Sequence, residues 1–141
     1  MATASIDVDR LTILERLNRY AWGYDMQDAR MLRDCFTSDA VFLMYLEGGK
    51  EWGPFRGREL IVDWMTSVKK TQSDQRRHSI TNVLFDELND ASASVRCVLV
   101  LTAAKNGAVR LITSGWYRID MRKERQAWRI LKLELFLDAP F

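Results

Sequence analysis

The 141-residue chain carries only one histidine, two cysteines and two prolines. A single histidine, His78, cannot complete a zinc site of the usual kind, and no Cys-x-x-C pair is present. Cys35 and Cys97 lie far apart and read as buried thiols in a reducing compartment. Scarce proline and glycine make disorder beyond the first few residues unexpected. No apolar run approaches the ~20 residues of a membrane span. Met1 to Asp9 lacks the basic and apolar regions of a secretory signal. An excess of one charge is also missing: 21 basic against 19 acidic residues leave a net +2. That balance gives no electrostatic case for nucleic acid or an anionic membrane. The densest basic run, Arg118 to Arg129, is broken by Asp120 and Glu124 and reads as a solvated hairpin end. These absences together predict a cytoplasmic protein that works without metal or cofactor.

What is present is ordinary globular material, 48% hydrophobic and 28% charged, at a length typical of one domain spanning residues 1–141. Leu11, Leu14, Leu17, Tyr20, Ala21 and Tyr24 recur at steps of three and four and predict a helix from about Asp9 to Tyr24. Asp28 suits the N-cap of a short second helix through Met31, Leu32 and Cys35. Thr37 to Asp39 reads as a turn, Ala40 to Leu46 as a strand, and Glu47 to Gly53 as a loop. Gly57 precedes a third helix with Leu60, Ile61, Trp64, Met65 and Val68 as its buried stripe. After Asp74 the period changes to two. His78 to Leu88, Ala93 to Ala104, Val109 to Arg122 and Ala127 to Leu137 read as four long strands. Asn106-Gly107 is the strongest hairpin signal between them. Helices segregated before strands predict an α+β fold, an antiparallel meander with three helices on one face and a pocket between.

His78 shares one strand face with Ile80, Asn82 and Leu84 by period two. Two readings are open: a strand-edge or satisfied core histidine, or a general acid–base, since an imidazole can both take and give a proton near neutral pH. The second reading needs a group orienting the other ring nitrogen, usually a carboxylate. Asp25 is the candidate. It continues the inward face of Tyr20, Ala21 and Tyr24, where an unpaired carboxylate would be costly. Asp28 takes the capping task and leaves Asp25 free for another.

Tyr24-Asp25-Met26-Gln27-Asp28 with Leu32-Arg33, Phe36 to Phe42, Phe55-Arg56-Gly57-Arg58, His78 to Asn82, Gly115-Trp116-Tyr117 and Trp128-Arg129-Ile130 together resemble scytalone dehydratase and its SnoaL-like relatives in the nuclear-transport-factor-2-like superfamily. The resemblance covers nearly the whole chain in order and spacing. It implies a cone-shaped barrel: a strongly bent, mainly antiparallel sheet wrapped around three helices from the first half of the chain, with an internal pocket. It places an aspartate–histidine dyad on Asp25 and His78. Tyr24 matches a substrate-facing tyrosine and Tyr45 lies near a second, where one residue of register decides whether Tyr45 or Met44 faces inward. The implied activity is that of a cofactor-independent lyase, isomerase or cyclase on a small oxygenated aromatic, polyketide-like or steroid-like molecule. Asn82, Tyr20, Trp64, Met44, Thr113 and Trp116 are the candidate substrate contacts. Trp22 and Met65 are further candidate walls, and all the tryptophans and methionines serve equally as ordinary core.

Departures narrow the comparison. Where scytalone dehydratase has a second active-site histidine, Cys97 to Ala103 is apolar. Its later serine and asparagine correspond to Leu111 and Thr113, and a dehydrochlorinase lysine corresponds to Tyr20. These argue against scytalone itself and against chlorinated substrates. The alternative is a non-catalytic ligand binder or an accessory subunit resembling the β subunit of ring-hydroxylating dioxygenases, with Arg96, Arg110 and Arg118 facing a partner. The relatives also imply a homodimer or homotrimer through the sheet face. The apolar tail Leu135 to Phe141 is placed over a pocket mouth or a subunit interface.

Overall fold

The computed structural model describes the backbone of residues 2–141 and the side chains of residues 5–141. Three helices, α1 (Ala2–Asp25), α2 (Ala29–Asp34) and α3 (Arg58–Thr71), pack against one six-stranded sheet. The strands are β1 (Phe36–Leu46), β2 (Lys50–Arg56), β3 (Gln75–Leu88), β4 (Ser92–Lys105), β5 (Ala108–Glu124) and β6 (Ala127–Leu137). Their order is β2-β1-β6-β5-β4-β3. Every pairing is antiparallel except β1 with β6. The expected meander is therefore β3 to β6, and the chain's first strand closes onto its last to make the sheet mixed.

The helix boundaries follow local chemistry. Asp28 accepts from the Met31 N–H at 3.0 Å and caps α2, as the sequence predicts. The stripe of α1 is Ile13, Leu17, Tyr20, Ala21 and Tyr24, whereas Leu11 is 67% exposed. The stripe of α3 is Ile61, Val62 and Met65, with Leu60 outside. Asn106 and Gly107 both have positive φ (52° and 77°), the geometry a two-residue hairpin turn needs. Two elements differ from expectation. Thr37 to Asp39 belongs to β1 rather than to a turn, because Thr37 is fully buried within the core. Lys50 to Arg56 is a strand despite Gly53-Pro54, because β2 is a sheet edge where proline leaves no ladder bond unmade.

The basic run is not a free solvated end. Lys123 bonds Asp9 at 3.0 Å, Arg122 bonds Asp39 at 2.9 Å, and Arg129 bonds Asp34 at 3.0 Å. Each cation ties the sheet to the helical layer or to β1. Cys35 and Cys97 are buried free thiols. Burial pushes their pKa up to about 11 and about 12, so both stay protonated. No helix among the described residues is long and apolar enough to cross a membrane.

Candidate active site

The end of α1 and the start of β3 meet where Asp25 faces His78. The Asp25 carboxylate accepts twice: one oxygen lies 2.6 Å from His78 Nδ1, the other 2.8 Å from the His78 backbone N–H. The second bond locks the carboxylate plane, so the ring is held in one orientation. Gln75 donates to the Asp25 carbonyl at 3.0 Å and fixes the helix end against the strand. Both side chains are nearly buried, 6% exposed for Asp25 and 9% for His78. With Nδ1 engaged, the neutral ring presents its basic lone pair at Nε2.

His78 lines a narrow, partly open cavity between the helices and the sheet. Tyr24, whose ring is 4.7 Å from the His78 ring in an edge-to-face arrangement, stands beside it. Burial pushes the Tyr24 hydroxyl up to about 12, so it is a proton donor at neutral pH. Its hydroxyl lies 3.3 Å from Gln72 Oε1, long for an O–H···O bond and easily redirected. Tyr20, Met44, Trp64 and Met65 also line the cavity. On the opposite side the pair borders a surface hollow formed by Trp22, Arg77 and Ser79. Trp22 is therefore no cavity wall; it is 57% exposed, with the Arg77 guanidinium 5.8 Å from its ring centroid.

Four expected contacts lie elsewhere. Tyr45 points to the outer face of the sheet and stacks on Phe136 at 5.0 Å, while Met44 points inward. Trp116 shares that outer row, stacked on Phe136 at 4.4 Å. Asn82 has φ 55° and sits at a bulge between Thr81 and Leu84. The extra residue reverses the face sequence, so Asn82 and Leu84 turn outward and Val83 and Phe85 turn inward. Thr113 does face inward, in the same row as His78 and Leu101, but its hydroxyl donates to the Ala139 carbonyl at 2.7 Å. It anchors the tail rather than a ligand. That tail brings Phe141 to the cavity wall, with its ring 5.8 Å from that of Trp52.

Sequence reasoning missed Gln72, Phe42, Leu99 and Leu101, which also form the walls, while Leu135 and Leu137 belong to the apolar tail that it placed over a pocket mouth or an interface. Gln72 carried the same signal as Asp25: it continues the stripe Ile61, Met65, Val68 with a polar group. Among the described residues no three His, Cys, Asp or Glu side chains are grouped to hold a metal ion.

A six-stranded mixed sheet over three helices is the fold this chain shares with solved structures described as cystatin-like. The profile of the SnoaL-like domain matches residues 8–134, and the chain belongs to that family. Among solved structures it is similar to a protein of unknown function from Mycobacterium tuberculosis, solved as an aspartate-to-asparagine variant. The identity is 25% over 98% of this chain and 76% of that one, with a TM-score of 0.82. A nuclear-transport-factor-2-like protein with a cystatin-like fold from Novosphingobium aromaticivorans is 21% identical, over 96% of this chain and 86% of that one (TM-score 0.81). A protein of the same organism, provisionally described as a scytalone dehydratase, is 20% identical over 96% of this chain and 87% of that one (TM-score 0.78). No curated protein sequence matches the chain significantly.

Proposed function

We propose that the protein is a cofactor-independent lyase or isomerase in which His78 and Asp25 act as an acid–base dyad on a small, mostly apolar, oxygenated molecule. The observation that carries this reading is the 2.6 Å contact between His78 Nδ1 and Asp25 at the wall of a largely apolar cavity. His78 Nε2 takes a C–H proton made acidic by an adjacent carbonyl, and the C–H electron pair moves into the enolate. Asp25 stabilises the imidazolium so formed. Tyr24 donates a hydrogen bond to the enolate oxygen. The imidazolium proton then returns to another carbon, giving isomerisation, or goes to a departing hydroxyl, giving water and an alkene; in a cyclisation the enolate carbon attacks a second carbonyl of the same molecule and the proton goes to the alkoxide so formed. With one histidine in the chain, a single base performs both transfers.

His78→Ala and Asp25→Asn in a turnover screen over hydroxylated aromatic ketones test the reading. Loss of a hundredfold or more in kcat is the expected result in each. Unchanged turnover in both overturns it.

A second reading rests on the outer face, where Trp116, Phe136 and Tyr45 stack in a row beside exposed Leu84. A row of this kind suits a subunit interface, in a homo-oligomer or in an accessory subunit. Sedimentation of the purified chain separates these: a monomer at micromolar concentration disfavours the homo-oligomer, and an assembly that survives Trp116→Glu disfavours this face as the contact.

A further inference from the structure

Three polar side chains of the cavity wall touch one another. His78, Tyr24 and Gln72 form a continuous cluster, with Tyr24 touching both neighbours. Tyr20, one helical turn earlier, turns its ring edge to Phe36 and Tyr117, 6.1 Å away in each case. The Trp64 indole is packed against Phe42 and Phe55. The remaining walls are hydrocarbon and thioether.

Gln72 is placed firmly. It caps the C-terminus of α3 with extended backbone (φ −92°, ψ 114°), its N–H bonded to the Lys69 carbonyl. Its side-chain oxygen accepts from Tyr24, which leaves the amide N–H groups out of that bond. Among the described residues the amide nitrogen makes no hydrogen bond. An N–H donor beside a phenol and an imidazole in an apolar cavity is complementary to a carbonyl oxygen.

We infer that Gln72 binds substrate by donating its amide to a carbonyl oxygen, and that the cavity selects ketones whose oxygen and acidic C–H lie at one end of an otherwise hydrocarbon body. This rests on the acid–base reading of His78, because the oxygen and the C–H must both reach one cluster. A second oxygen at the far end would be buried against leucine and methionine without a partner, which binding sites strongly disfavour.

Titration calorimetry with ketone probes tests it. The probes are α-tetralones carrying either a methyl or a hydroxyl at the ring position para to the carbonyl, similar in size and differing in far-end polarity. The methyl compound should bind about tenfold or more tightly than the hydroxyl compound. Gln72→Leu and Gln72→Glu should each weaken the methyl ketone by about tenfold. Gln72→Glu keeps the acceptor for Tyr24 and exchanges the donor for a carboxylate, which repels a carbonyl oxygen. Both variants should bind the matching methyl-tetralin, which lacks the carbonyl, as the parent does, showing that the cavity still forms. Equal affinity for the two ketones, no measurable ketone binding, or Gln72 variants that bind the methyl ketone like the parent would overturn the inference. Binding alone is read, so these outcomes leave the role of His78 to the turnover of its own variants.

Discussion

Helix α1 carries two buried aspartates, Asp9 and Asp25, and they differ in their partners. Asp9, 5% exposed, accepts from the Trp128 indole at 2.9 Å and from Lys123 at 3.0 Å. Asp25, 6% exposed, accepts from the ring and the backbone of His78. Neither carboxylate is left unpaired, as burial requires. Asp9 holds a lysine and a neutral donor, lies away from the cavity, and joins the helix to the hairpin of β5 and β6. Asp25 holds an imidazole that lines the cavity and, in the proposed function, exchanges a proton with its occupant. Burial and pairing are common to both carboxylates; what separates Asp25 is a titratable partner on a cavity wall.

The comparison is broken most directly by exchanging each aspartate for asparagine. Asp25→Asn should reduce kcat by a hundredfold or more, since the amide no longer stabilises the imidazolium or fixes the tautomer. Asp9→Asn should leave kcat within about twofold but lower unfolding free energy by about 2–3 kcal/mol, because the charged Lys123 loses its counter-charge. Steady-state kinetics beside denaturant melts of both variants checks this. Equal kinetic losses would erase the distinction.

Acidification sharpens it. Burial pushes the Asp9 carboxyl up, but the bonds from Trp128 and Lys123 outweigh burial and hold it below the usual carboxylate range. A group depressed in the folded state contributes stability above its unfolded value, about 3.9, and loses it as pH falls through the folded value. Asp74 behaves alike, held down first by the Arg76 guanidinium and opposed by burial. Denaturant midpoints should therefore drop below about pH 4. Asp9→Asn should flatten that drop in part and leave the Asp74 share. An unchanged acid slope in Asp9→Asn would remove the electrostatic account of Asp9.

Much of this was legible in the sequence because periodicity reports which side chains are buried. The switch from a period of three to four in α1 to a period of two after Asp74 marked the helical and strand layers. A carboxylate continuing an apolar stripe marked Asp25. Local pattern failed where long-range geometry decides. The parallel pairing of β1 with β6 leaves no local trace. The bulge between Thr81 and Leu84 adds one residue and moves Asn82 to the opposite face. The Thr113 hydroxyl is taken by a carbonyl 26 positions away. The Tyr45 and Met44 pair was undecidable by period alone, since either register satisfies alternation.

That last pair supplies the smallest and most specific effect. In the observed register Thr81, Val98, Trp116, Phe136 and Tyr45 form one outward row across five strands. Tyr45 is stacked on Phe136 and makes no hydrogen bond among the described residues through its hydroxyl. Tyr45→Phe should then change neither kcat nor KM beyond about twofold and should shift stability by no more than about 0.5 kcal/mol. Tyr24→Phe, one of the inward phenols, should reduce kcat by about tenfold or more through loss of one donor to the developing enolate. Kinetics on the two variants with one ketone substrate reads both. A reversed order, with Tyr45→Phe the more damaging, would mean that the outward row faces the chemistry and that the register of β1 against β6 is displaced by one residue.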